Sequence, residues 1–156
     1  MDLRLIDAIP ALADDMEQIT ALLMACNLPT QDLVLEHLPQ FLLLQDEGQL
    51  IGVVGLEVKH SVGLLRSLAV QAKFRGQGFG TQLVCDAESH AATIGVQTLY
   101  LLTTTAAQFF ASLGYTETNR QQVPAAIQAT AEFATICPSS AVCMVKRVKP
   151  PVLPTR

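Results

Sequence analysis

The segment that most constrains this chain is a glycine-rich run between an apolar stretch and a helical pattern. Residues 75–80 read R-G-Q-G-F-G, follow the apolar residues 64–70 (L-L-R-S-L-A-V) and precede a helical pattern that opens at Thr81. Glycines at alternate positions remove side chains from one stretch of backbone, so its N–H groups can point at a single ligand. The helix behind the run adds unpaired amide donors and the positive end of its dipole. The run therefore predicts a phosphate-binding loop.

Two other phosphate-binding motifs are excluded by single residues. A dinucleotide fingerprint G-x-G-x-x-G needs glycine at position 81, where this chain has Thr81. A P-loop needs Gly-Lys-Ser/Thr at the helix start, and the residues here are Gly80, Thr81 and Gln82. On these residues alone, a glycine-rich turn that only joins strand to helix stays an equal alternative.

Composition favours one compact domain and argues against several classes of partner. The chain has 156 residues, half of them hydrophobic and 15% charged, which fits a single unit of the usual ~100–200 residues. No uninterrupted apolar run reaches the ~18 residues of a membrane span, and the N-terminus lacks the basic-then-apolar order of a signal peptide. The net charge of −4 argues against a nucleic-acid partner. We expect a cytoplasmic protein with neither a nucleic-acid nor a membrane partner.

The cysteines and histidines predict neither a metal site nor a disulfide framework. No pair of cysteines has C-x-x-C spacing and the histidines do not cluster, the residues being Cys26, Cys85, Cys137, Cys143, His37, His60 and His90. Buried thiols of a cytosolic protein are the expected interpretation.

Hydrophobic periodicity predicts an alternation of strands and helices in the order βααβββαβαβ. The strands are predicted at residues 3–6, 41–44, 50–58, 61–70, 98–103 and 141–148, and the helices at 14–26, 30–37, 81–94 and 106–113. Asp14 or Asp15 caps the first helix, and Gly95 and Gly114 end the last two. Residues 1–148 then form a single domain, and residues 149–156 a proline-rich, flexible tail.

This order, with R-x-x-G-x-G between the fourth strand and the third helix, resembles the GCN5-related N-acetyltransferases (the GNAT family). The resemblance covers residues 3–148 and includes Y-L-L-T-T-T at 100–105 and F-F-A-S-L-G-Y at 109–115. It implies an α/β fold with a central, mostly antiparallel mixed sheet flanked by helices, and acyl-CoA bound between strands 4 and 5. Two subgroups share L-L-R-S-L at 64–68 and C-P-S-S-A-V-C-M at 137–144. They are the acetyltransferases associated with bacterial arsenic-resistance operons and the amino-acid N-acetyltransferases of the N-acetylglutamate synthase type.

The family resemblance implies acetyl-CoA as co-substrate and assigns residues to it. Backbone amides of the fourth strand, here Leu68, Ala69 and Val70, receive the pantetheine arm and the thioester carbonyl. The pyrophosphate is held by the loop that follows, here Gly76, Gln77, Gly78, Gly80 and Thr81. Arg75 either meets a phosphate or is a surface arginine.

One departure from the family concerns the general acid. The family's tyrosine, four residues before the glycine of the second motif, is Phe110 here. Phenylalanine cannot donate a proton, so either the CoA thiolate leaves unaided or another hydroxyl assists. Unaided departure is feasible because the pKa of a thiol is about 8–9. Ser140, before the last strand, is the candidate, and Tyr100 and Tyr115 are more simply packing aromatics.

Two charged residues on apolar strands are the candidates for the acceptor side. Glu57 ends the run I-G-V-V-G-L at 51–56 and is the candidate general base, with a solvated strand-end carboxylate as the alternative. Arg66, among leucines, is expected either to pair with Glu57 or to bind a substrate carboxylate bidentately, and we favour the second role. Thr103 is the further candidate for contact with the acceptor.

Two functional classes therefore stay open. The first is an acetyl-CoA-dependent N-acetyltransferase for a small amino acid or analogue, including one that contains arsenic or phosphorus, as a monomer or homodimer. The second is an acyl-CoA-binding regulatory or sensor module that keeps the fold without efficient turnover. Acetyl-CoA consumption with a panel of amino acids separates them.

Overall fold

A computed structural model describes residues 6–136 and 140–150, and it contains a seven-stranded sheet with helices. The strands are β1 (Ile9–Pro10), β2 (Phe41–Asp46), β3 (Gln49–Lys59), β4 (Val62–Val70), β5 (Thr98–Thr103), β6 (Thr116–Glu117) and β7 (Val142–Arg147). Their order in the sheet is β1-β2-β3-β4-β5-β7-β6. The helices are α1 (Met16–Ala25), α2 (Phe79–Thr93), α3 (Ala107–Ser112) and α4 (Ala125–Gln128). Short 3₁₀ turns lie at Ala13–Asp15, Leu35–Gln40, Ala72–Phe74 and Arg120–Gln122, with a π-helical turn at Glu132–Ile136.

The described residues form two compact units. The first contains residues 6–55 and 67–87, and the second contains residues 56–66, 88–136 and 140–150. No helix among the described residues is long and apolar enough to cross a membrane.

The first unit is built on the β2–β3 hairpin, whose two strands were predicted from the sequence. Phe41 pairs with Gly55 and Asp46 with Gln49, so the connecting loop is Glu47-Gly48. Both loop residues have positive φ, at 53° and 75°, as the two-residue turn of a twisted hairpin requires. Its core joins the apolar face of α1 to the hairpin and includes Ile19, Leu23, Phe41, Leu43, Val53 and Ala69.

The second unit is built on β5, which has parallel and antiparallel neighbours. β5 pairs parallel with β4 from Val62–Thr98 to Leu64–Tyr100, and antiparallel with β7 along its whole length. Leu64, Val123, Ile127, Phe133 and Cys143 form its core. Near the core, Lys146 Nζ lies 3.0 Å from Glu88 Oε1, and the Tyr115 hydroxyl donates to Glu88 Oε2 at 2.9 Å.

Most predicted elements are present, with some differences. β2, β3, β4, β5 and β7 lie where they were predicted, and α2 begins at Phe79, two residues before the predicted start. The second helix, predicted at 30–37, is wrong in position: its helical turn is the 3₁₀ segment Leu35–Gln40, because the extended backbone of Val34 precedes it. Residues 3–5 of the strand predicted at 3–6 and residues 151–156 of the predicted tail lie outside the described residues, and Ile6 is not in a strand.

Candidate functional site

The glycine loop has the backbone geometry of an anion-binding nest. Gly76 and Gly78 have φ of 77° and 89°, separated by Gln77, and alternation of handedness turns successive N–H groups toward one concavity. Apart from each glycine's own chain neighbours, no heavy atom of the described residues lies within 4 Å of the position that a Cβ would take at either glycine. The fifteen-residue helix α2 begins directly afterwards at Phe79, which adds its unpaired amides and dipole.

The strand that enters this loop departs from regular geometry at one residue. Ser67 has a φ of 60°, a left-handed conformation that is uncommon for a non-glycine residue in the middle of a strand. A residue in this conformation interrupts the regular alternation of side chains that an extended strand has. Leu68, Ala69 and Val70, the predicted pantetheine-binding residues, follow this kink. Strained residues of this kind cluster at ligand-binding sites.

Arg75 is exposed, and its side chain contacts residues beside the start of the glycine loop. Its Nε donates to the Val70 carbonyl at 3.0 Å, and its Nη2 lies 3.4 Å from Cys26 Sγ. A cavity of about 810 Å³ in the first unit borders Arg75, Gln71 and the C-terminal end of α1. The side chain thus has both a structural role, in bridging to Val70, and a position at the edge of the glycine loop. Of the remaining predicted loop residues, Gly80 and Thr81 lie in the first turn of α2.

In the second unit, Glu57 and Arg66 are in contact, as one of the two sequence-based alternatives predicted. Arg66 Nη1 donates to Glu57 Oε2 at 2.7 Å. The Arg66 side chain is completely buried, whereas that of Glu57 keeps 11% of its surface exposed. The predicted binding of a substrate carboxylate by Arg66 stays a prediction.

A third charged residue, Glu132, completes this cluster and was not identified from the sequence. Arg66 Nε lies 2.9 Å from Glu132 Oε2, and the Glu132 side chain is 6% exposed. Glu132 belongs to the π-helical turn Glu132–Ile136, a rare conformation that is frequently found at functional sites. Glu132 is the only charged residue between Arg120 and Lys146. An isolated carboxylate in a long uncharged stretch is the sequence feature by which this buried ion pair could have been identified.

The aromatic residues near the family's general-acid position are packed. Phe110 is 6% exposed, and its ring makes edge-to-face contacts with those of Phe109 at 5.1 Å and Tyr115 at 5.6 Å. Tyr115 is 2% exposed, and its hydroxyl is bound to Glu88. Burial, followed by the nearby Cys143, raises the pKa of Tyr100 above its ordinary value. Tyr100 packs against the core of the second unit and Tyr115 packs against Phe110, as is typical of packing aromatics.

The two remaining predicted site residues lie at ends of strands. Ser140 is exposed in the turn before β7, which begins two residues later at Val142. The Thr103 hydroxyl, at the end of β5, accepts a hydrogen bond from the Ala106 amide at 2.9 Å. No group of three or more potential metal ligands occurs within residues 6–136 and 140–150.

Comparison with known sequences identifies an acetyltransferase pattern. The model of the acetyltransferase (GNAT) domain matches residues 37–117, a range that includes both the glycine loop and Phe110. An uncharacterised N-acetyltransferase of Chlorobaculum tepidum is 33% identical over 112 residues, which are 70% of this chain and 69% of that protein. The amino-acid acetyltransferase of Pseudomonas putida is 30% identical over 99 residues. The chain spans only 23% of the length of that enzyme.

Solved structures have the same fold. N-acetylglutamate synthase from Neisseria gonorrhoeae, solved with coenzyme A and L-arginine, superposes on 92% of this chain with a TM-score of 0.78 and 22% identity. This chain covers 33% of that protein. A Mycobacterium tuberculosis protein in complex with CoA gives a TM-score of 0.78 at 21% identity and is covered over 99% of its length.

Proposed function

The chain belongs to the GNAT acetyltransferase family, and we propose that it transfers the acetyl group of acetyl-CoA to the amino group of a small amino acid or amino-acid analogue. The observation that carries the proposal is the nest at Gly76 and Gly78 before α2, because an open backbone concavity at a helix N-terminus suits a pyrophosphate. The relatives named amino-acid acetyltransferase support the acceptor class.

Acetyl-CoA is held chiefly by backbone groups in this proposal. The amides of residues 76–81 bind the pyrophosphate, and those of Leu68, Ala69 and Val70 bind the pantetheine arm and the thioester carbonyl. Donors on that carbonyl stabilise the oxyanion of the tetrahedral intermediate. Arg75 sits at the loop's edge, where its positive charge favours a phosphate.

Glu57 is the proposed general base. An acceptor amine is mostly protonated at neutral pH, and a partly exposed carboxylate can take its proton through a water molecule. The deprotonated amine attacks the thioester carbon. As the tetrahedral intermediate collapses, the C–S bond breaks and releases the CoA thiolate, and the nitrogen passes its second proton to water to give the amide. Phe110 cannot protonate that thiolate, so Ser140 assists or the thiolate leaves unaided.

Arg66 and Thr103 are the proposed acceptor contacts. A guanidinium binds a carboxylate through two parallel hydrogen bonds, and the Thr103 hydroxyl lies at the end of β5. Acetylation of an arsenic-containing amino-acid analogue, a cytoplasmic location and a homodimer are further expectations from the family resemblance.

Thiol release from acetyl-CoA, measured with a panel of amino acids and their arsenic- and phosphorus-containing analogues, tests the proposal. We expect release that depends on one class of amino acid and saturates with its concentration. Tight acetyl-CoA binding without thiol release for any amine would instead support the sensor module.

A further inference from the structure

The segment that leads into the glycine loop carries the positive charge of this part of the chain. Within residues 67–119, Lys73 and Arg75 are the only lysine and arginine residues, and both are exposed. Asp86 is the only acidic residue within residues 67–87. In a chain whose net charge is −4, this segment is a local exception that favours an anionic ligand.

The two cations differ in how far the fold engages them. The Arg75 guanidinium donates from Nε to the Val70 carbonyl at 3.0 Å. Lys73 lies in the 3₁₀ turn Ala72–Phe74, and its Nζ sits over the Phe74 ring, 5.4 Å from the ring centroid. A cation–π contact of this kind restrains the ammonium group and leaves N–H donors for a ligand.

Phe74 is itself held in place by Phe79, the first residue of α2. The two rings meet edge to face, with centroids 6.3 Å apart and planes at 84°. Phe74 precedes the nest at Gly76 and Gly78, and Phe79 follows it. The ring contact therefore joins the two ends of the glycine loop and fixes the position of Lys73 relative to the nest.

We propose that Lys73 is a specificity-determining residue that binds the 3′-phosphate of acetyl-CoA, and that Phe74 is the positioning residue for its ammonium group. The proposal rests on the proposed function, because it takes the nest at Gly76 and Gly78 as the pyrophosphate site. The pyrophosphate and the 3′-phosphate are attached to the same ribose. Lys73 lies three residues before Gly76, so their Cα atoms are at most about 11 Å apart. A separation of this size is bridged by a lysine side chain together with the ribose.

The charge of the 3′-phosphate is the reason that a cation is needed there. A phosphate monoester carries about −1.5 to −2 charges at pH 7. The amides of the nest supply only partial charges, and an ammonium group supplies a full one. Dephospho-CoA lacks this phosphate and is otherwise the same molecule. Preference for CoA over dephospho-CoA is therefore the property that Lys73 confers.

The binding of acetyl-CoA and of acetyl-dephospho-CoA, each measured by calorimetry without an acceptor, tests the assignment. We expect the wild type to bind acetyl-dephospho-CoA about five- to tenfold more weakly, which is the effect of one exposed charge-assisted contact. Added salt should reduce this ratio of Kd values.

Three variants assign the ratio to these residues. In Lys73→Gln the ratio should fall below about twofold, with the affinity for acetyl-dephospho-CoA unchanged. Lys73→Arg keeps the charge and should keep the ratio. Phe74→Leu keeps an apolar side chain but removes the aromatic ring, so its ratio should lie between those of the wild type and Lys73→Gln.

Lys59→Gln is the matched control, because it removes the same charge from an exposed position at the end of β3. It should leave the ratio unchanged. A wild type that binds both coenzymes equally, or a Lys73→Gln variant with the wild-type ratio, overturns the assignment of Lys73. A wild-type ratio in Phe74→Leu overturns the positioning role.

The inference and the proposed function fail separately, because the binding measurements need no acceptor. If an amino acid is acetylated but the two coenzymes bind equally, the inference fails while the proposed function stands. If the expected ratios are measured but no amine is acetylated, the proposed function fails and the assignment of Lys73 stands. A chain that binds neither coenzyme contradicts both.

Discussion

Arg66 is a buried cation that is paired with carboxylates from two different elements. A guanidinium without exposed surface requires partners, and here Glu57 and Glu132 supply them from β3 and from the π-helical turn. Removing Arg66 would leave two carboxylates without their common cation, so loss of folding would obscure any effect on catalysis. Substitutions of the glutamates are the more informative ones, since Arg66 keeps one partner in each case.

Glu57→Gln tests the general base. We expect kcat/KM for the acceptor to fall about a hundredfold or more, most strongly below the pKa of the acceptor amine, where a base is needed. The affinity for acetyl-CoA, measured by calorimetry, should not change. Glu117→Gln is the control, because it removes the same charge from an exposed position of β6. An unaltered kcat/KM in Glu57→Gln would show that another group accepts the proton.

Ser140→Ala tests whether a hydroxyl assists the departing thiolate. Ser140 is exposed in a turn, so its loss should not disturb the core, and we expect kcat to fall about tenfold with KM for both substrates preserved. Ser112→Ala, which removes an exposed serine of α3, should have no such effect. A kcat equal to that of the wild type at every pH would leave the thiolate departing unaided.

Among the secondary-structure elements, the glycine loop at the start of α2 matters most, because the proposed binding of acetyl-CoA depends on it. A sequence can predict this feature because its chemistry is local: alternating glycines and the helix that follows lie within one short segment. The kink at Ser67 was not predicted, because nothing in the residue type requires the left-handed conformation that the strand adopts there.

Two variants at Gly78 separate charge from backbone conformation. Its φ of 89° disfavours most side chains, but asparagine and aspartate tolerate positive φ better than others and are nearly identical in shape. Gly78→Asp should weaken acetyl-CoA binding at least about tenfold more than Gly78→Asn, because only aspartate repels the pyrophosphate. The comparison by calorimetry should be made at low salt, where repulsion is screened least. Equal affinities of the two variants would place the pyrophosphate elsewhere.

The elements that sequence reasoning missed are short and lack periodicity. β5 was predicted with its observed bounds because it is an apolar run. The turns between Arg120 and Ile136 contain few regularly spaced apolar residues and owe their conformation to tertiary contacts, such as the burial of Ile127 and Phe133 in the second unit's core. Glu132 lies in this region, and its contact with Arg66 is far from local, so a sequence read segment by segment does not reveal it.

At the scale of the whole molecule, family and fold are better determined than the reaction's acceptor. The chain matches the acetyltransferase domain over half its length, but it spans under a quarter of the amino-acid acetyltransferases it resembles. The acceptor consequently has to be identified by assay of this chain.

Stability of the whole chain should decline at alkaline pH partly because of one thiol. Burial raises the pKa of Cys143 above its ordinary value of 9.0, with the nearby Arg120 acting in the opposite direction. A raised pKa in the folded state means that the thiol's contribution is complete below about pH 9 and is lost as the pH rises from there through the folded-state pKa. The urea midpoint should therefore fall less steeply above that pH in Cys143→Ala than in the wild type. Parallel curves would contradict this expectation.

Identification of the product tests most directly whether the chain transfers the acetyl group of acetyl-CoA to an amino acid. The purified chain is incubated with isotopically labelled acetyl-CoA and an amino acid, and the amino acid is analysed by mass spectrometry while free CoA is measured in the same sample. We expect labelled N-acetyl amino acid and free CoA in equal amounts. The amounts of both products should be lower with the Glu57→Gln variant. Acetyl-CoA that binds but stays intact in the presence of every amino acid, or CoA released without any acetylated amine, would contradict the proposed acetyl transfer.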